Sequence, residues 1–143
     1  MVAVEIFRQH ISEARARLAQ AIEAASGDWE GGAASGDWAP RKIAEHALAT
    51  EINFTSAIAA STGNDMPASE TLAFPAEGEE FDFSTAAAAI EAIPHVAQAC
   101  DAVLLKLTED DMESKSPVVE TVFGTLVLTA HHMNLHALQI KEL

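Results

Sequence analysis

Apolar residues recur at steps of three and four along four stretches of this 143-residue chain, and none of them alternates as a strand would. Such spacing lays side chains along one stripe of a 3.6-residue helix, so it predicts an all-α four-helix bundle. The first stretch runs from about Val2 to Ala25, with Val4, Phe7, Ile11, Ala14, Leu18, Ile22 and Ala25 on its stripe, and stops at Gly27. A Gly-rich loop then carries SGDW twice, at Ser26–Trp29 and Ser35–Trp38, and reads as a connection with two aromatic anchors. The second helix begins near Pro40, where a missing N–H costs nothing, and Trp38 is placed to staple onto Ile43. Its inward stripe is Ile43, Ala47, Thr50, Phe54 and Ile58, ending around Ser61–Gly63.

Residues 63–83 show no periodicity and include an acidic run, Glu77–Asp82. A connection this long is unusual in a compact domain and marks a lid or a partner surface. The third helix is expected from about Ser84 to Leu107, with Ile90, Ile93, Ala97, Cys100, Leu104 and Leu107 on one face and a kink or a local break at Pro94. The last starts between Val119 and Gly124 and runs to Leu143.

The length suits one domain, 1–143, and 49% hydrophobic residues exclude disorder. No apolar run approaches the roughly 20 residues of a membrane span. The opening MVAVEIFRQHISEARARL lacks the order of a signal peptide, and Cys100 has no cysteine to pair with, so a cytoplasmic location is expected. With 8 Lys+Arg against 22 Asp+Glu, the net charge of −14 repels phosphate backbones and anionic membranes.

The chemistry lies in the histidines. His132 and His136, four apart on the last helix, sit about 40° from each other and can address one point, as such pairs do in helical zinc sites. Thr125, Leu128, Leu135, Gln139 and Leu143 share that face and are expected to look into the core. His46 lies at the edge of the second helix's inward stripe. It either bonds a backbone carbonyl or Glu51, or joins the pair around a metal. His95 and His131 are expected on the surface, His131 with an outer supporting role as the other option, and His10 is an outside candidate. Glu51 reads as solvated or salt-bridged rather than as a base, and Cys100 as a buried structural thiol.

A tryptophan before a helix reading WAPRKIAEHALATE, followed by a terminal helix reading HHMNLHALQI, resembles the DinB/YfiT-like family. The resemblance covers nearly the whole chain, including the long crossover and Gln139, although Leu138 stands where many members have glycine. It implies a divalent metal, zinc or nickel, held by His46, His132 and His136 with open coordination positions. It also implies a homodimer and either thiol-dependent S-transfer, with a low-molecular-weight thiol as substrate, or hydrolysis. A homodimer is suggested independently by Phe123, Leu126, Val127, Ala130, Ala137 and Leu138, which would make the last helix apolar on the side away from the histidines. No residue is assigned as catalytic. A di-iron carboxylate site is excluded because the chain holds no Glu-x-x-His. The rival to an enzyme is a non-catalytic metal-binding or structural bundle.

Overall fold

The structure, a computed structural model, describes residues 3–31 and 38–142. Four helices account for most of them: α1 (Ala3–Ala24), α2 (Pro40–Ser61), α3 (Ala86–Leu104) and α4 (Val122–Lys141). Among the described residues there is no β-strand, only an isolated bridge between Lys115 and Thr121. Helix α1 packs against α4 and α3, and α2 packs against the same two, whereas α1 and α2 barely meet. The four therefore surround a common core in the order α1, α4, α2, α3, and the chain crosses the bundle between α1 and α2.

Local chemistry sets the helix ends. Pro40 occupies the first turn of α2 behind an extended Ala39. Past its other end, Gly63 takes a left-handed φ of 73° while the Asn64 N–H donates to the Ala59 carbonyl, closing the last turn. Thr85 and Thr121 cap α3 and α4, their side chains accepting from the Ala88 and Gly124 amides. These caps place the start of α3 two residues later than the periodicity suggests, and its end falls at Leu104 rather than Leu107. Pro94 sits on the exposed side of α3, which runs through it as one continuous helix instead of breaking. A 3-10 turn at Glu109–Glu113, closed by a Thr108–Asp111 capping box, was not legible in the periodicity. Val2, Leu143 and most of the second SGDW copy lie outside the described residues.

The apolar core forms two clusters. One holds Leu18, Ile22, Ile43, Leu48, Ile93, Val96, Met133 and Ile140. The other gathers Ile11, Ile58, Val103, Leu104, Val122 and Leu126. The Arg15 side chain sits among them, 6% exposed. Its Nε and Nη2 donate to Glu51 Oε2 at 2.9 and 2.6 Å, and its Nη1 and Nη2 to the two Asp101 oxygens at 3.2 and 3.0 Å. Glu51 is thus the salt-bridged carboxylate of the two readings, and Arg15 joins α1 to α2 and α3 through Glu51 and Asp101. Burial opposes the Arg15 charge, but the adjacent Glu51 and Asp101 outweigh it and raise the guanidinium pKa.

Two stripes differ from their expected positions. On α3, Ile90 and Ala97 are half-buried, and the buried face instead runs through Ala89, Ile93, Val96, Cys100 and Val103. On α4 the buried face centres on Leu126, Met133, Ala137 and Ile140, so Leu135 and Gln139 are exposed and Leu128 is half-buried. Leu126, Ala130 and Ala137, expected on the far side, are core residues, while Phe123, Val127 and Leu138 remain exposed. The cause is geometric: the histidines stand on one flank of the buried arc and do not define its middle.

Candidate metal centre

Helix α2 supplies His46, and α4 supplies His132 and His136. Because α2 and α4 are packed neighbours, the three rings converge. Ring centroids lie 5.2 Å apart for His46 and His132, 5.1 Å for His46 and His136, and 4.3 Å for His132 and His136. One nitrogen from each ring falls within 4.8 Å of the other two, close enough to hold a metal ion. The alternative partner for His46, Glu51, is engaged with Arg15 instead.

Two of the ring nitrogens facing away from the cluster have acceptors of their own. His136 Nδ1 lies 2.8 Å from Gln139 Oε1, three residues on in the same helix. His46 Nδ1 lies 3.1 Å from Glu80 Oε1 in the crossover. A carboxylate can only accept, so His46 must carry its proton on Nδ1 in this contact. The same polarity at His136 leaves the lone pair of each ring on Nε2. Fixing the tautomer through the outer nitrogen is how supporting residues orient metal-binding imidazoles.

The His132 and His136 Nε2 atoms face each other at 3.0 Å. Two nitrogens each at 2.0–2.1 Å from a cation, subtending a right to tetrahedral angle, lie about 2.9–3.4 Å apart, so the pair fits a divalent first-row ion. Neutral imidazole, the form that donates to metals, is favoured. Burial, with the neighbouring His136, His46 and His131, lowers the His132 pKa to about 4. Burial also lowers that of His136, partly offset by its bond to Gln139.

The site sits at the edge of the bundle. The His46 side chain is 28% exposed. Trp38 stands edge-on to His46 at 5.2 Å and Phe54 edge-on to His132 at 5.8 Å, so two aromatic rings wall the cluster. Phe54 is therefore a half-buried wall residue rather than a core one. Trp38 packs on the core as a staple would, with its face beneath the Lys42 ammonium. The first SGDW tryptophan, Trp29, is buried and donates its indole N–H to the Phe83 carbonyl at 2.9 Å.

The remaining histidines stay apart from the cluster. His10 and His131 are exposed, while His95 is half-buried with its Nδ1 3.2 Å from the Thr71 hydroxyl, so it is a loop contact rather than a free surface residue. Cys100 is fully buried, and burial together with the Glu51 charge raises its thiol pKa. Glu80 escaped the sequence reading because nothing in an acidic run of uniform character says which carboxylate turns inward. Arg15 could have been found, since it lies within the α1 stripe between Ile11 and Leu18. Comparison with protein-family models, with curated proteins and with solved structures finds no match.

Proposed function

We propose that the chain is a metal-dependent enzyme of the DinB/YfiT-like kind. In this reading His46, His132 and His136 hold zinc or nickel, and a low-molecular-weight thiol or a hydrolysable small molecule is the substrate. The observation that carries this reading is the pairing of convergent ring nitrogens with acceptors behind them. Gln139 and Glu80 occupy the outer nitrogens of two rings and aim the inner ones at a shared point.

A bound divalent ion with an open position supplies Lewis acidity, which lowers the pKa of a thiol or water held there. The chain's own contribution is threefold. Three uncharged imidazoles leave most of the cation's charge unneutralised. Gln139 and Glu80 keep the rings from rotating away. Trp38 and Phe54 shield two sides of the cluster from water, strengthening the electrostatics inside. The acidic surface argues against nucleic acid as a partner. Among the described residues, no helix is long and apolar enough to cross a membrane.

A second copy of the chain is the partner this reading calls for. Phe123, Val127 and Leu138 leave an apolar flank on α4 beside α1, each 44–51% exposed. Light scattering at micromolar concentration tests it: a homodimer gives twice the 15.2 kDa chain mass.

The enzyme reading is tested by purifying the protein without a His tag, measuring metal by elemental analysis, and assaying transfer of small thiols to electrophiles. Near-stoichiometric metal with turnover supports it. Stoichiometric metal without turnover in any screen favours the non-catalytic metal-binding bundle, and absence of metal after loading with zinc or nickel overturns the enzyme reading and leaves the structural bundle.

A further inference from the structure

The crossover between α2 and α3 is pinned beside the histidine cluster. Trp29 on one side and Glu45 on the other bind the backbone of Phe83, through its carbonyl and its amide respectively. Arg41 draws Glu30, Glu45 and Asp82 together. Phe81 and Phe83 are buried and stacked at 4.9 Å between ring centroids. Phe81, Asp82 and Phe83 thus fix the chain immediately after Glu80, whose carboxylate ends 3.1 Å from His46 Nδ1. That carboxylate also lies near enough to His136 to favour its charged form. No other hydrogen-bond partner of the His46 ring appears among the described residues.

We infer that Glu80 is a positioning residue for the metal centre: by accepting from His46 Nδ1 it fixes the tautomer in which Nε2 is the free donor, and so couples the crossover to the site. His132 and His136 orient each other within one helix, with Gln139 behind them. His46 comes from another helix and lacks such a neighbour in α2. Glu80 is what stands in for it, supplied from 34 residues away. The acidic run therefore has one member with a specific task, while Asp82 anchors the loop that presents it. This inference rests on the metal reading for its consequence but not for its geometry.

The experiment uses the full chain and reads two quantities. The first is the His46 tautomer in metal-free protein, from long-range nitrogen–proton NMR at about pH 8.5, where ordinary imidazoles are neutral. The second is the zinc dissociation constant by chelator competition. In the parent, His46 is expected with its proton on Nδ1. Glu80→Ala should give a mixed tautomer and weaken zinc by roughly 10–100-fold. Glu80→Gln retains an accepting oxygen and should keep the parent tautomer and most of the affinity. An unchanged tautomer in Glu80→Ala overturns the inference, as does unchanged zinc affinity. If the parent holds no zinc, the metal reading fails by itself, and the tautomer comparison alone decides the role of Glu80.

Discussion

His136 Nδ1 and Gln139 Oε1 meet at 2.8 Å, within one turn of α4, and this contact turns the opposite nitrogen of the ring towards His132. Replacing Gln139 by Ala removes the acceptor and frees the ring to rotate. Zinc affinity should fall by roughly tenfold or more, measured by chelator competition, while the circular-dichroism spectrum stays unchanged because Gln139 is exposed. Gln139→Glu, which restores an acceptor, should recover most of the loss.

His136→Ala removes a ligand outright. The parent should carry near-stoichiometric metal after loading and the variant very little, because two imidazoles chelate weakly. Excess zinc should raise the melting temperature of the parent, since anything that binds only the folded state stabilises it, and should leave that of His136→Ala nearly unchanged.

Protonation gives a third test. The His132 pKa is lowered to about 4 in the fold, against an ordinary 6.5. Between those values the unfolded chain binds a proton that the folded chain does not, so metal-free stability falls as pH drops from 6.5 towards 4 and is insensitive to His132 above that window. Urea midpoints at pH 7 and pH 5 should differ less in His132→Gln than in the parent; an equal difference would refute the assignment.

The Arg15–Glu51 pair predicts a pattern of stabilities. Glu51→Leu leaves a buried guanidinium with only the partly exposed Asp101, and Arg15→Met leaves a buried carboxylate; losses of about 3–5 kcal/mol are expected from each in urea unfolding. The double variant should lose less than the sum of the two by on the order of 1–3 kcal/mol, since each single change strands the charge that the other removes.

Cys100 should be inert in the native state. Its thiol is buried and its pKa raised, so the reactive thiolate is scarce and inaccessible. Labelling by a disulfide reagent should proceed only at the rate of unfolding, and rapid stoichiometric labelling without denaturant would contradict its structural role.

The helices and the His132–His136 pair are readable because both follow from spacing on a single helix: i, i+3, i+4 stripes for burial, and i, i+4 for the pair. Pairing His46 with α4 required the additional idea that polar groups on inward faces satisfy one another. What the spacing could not convey was rotation. Read as the centre of a face, the histidines place Leu135 and Gln139 inside and Leu126 and Ala137 outside, the reverse of what the fold shows. A helix with apolar residues nearly all around its circumference gives no sharp direction, and only packing against α1 and α2 fixes it. The crossover was opaque for a different reason: its hydrogen bonds depend on which backbone atoms reach Trp29 and Glu45, a matter of three-dimensional path rather than residue type.

The charged layer of Arg15, Glu51 and Asp101 also works as a gauge. Greasy helices can slide along one another by a turn, about 5.4 Å, at modest cost, but here any such slip would strand ions opposite hydrocarbon. Glu51 stands little more than one turn beyond His46 on α2, so the height at which that imidazole meets α4 is measured off from a salt link deep in the molecule.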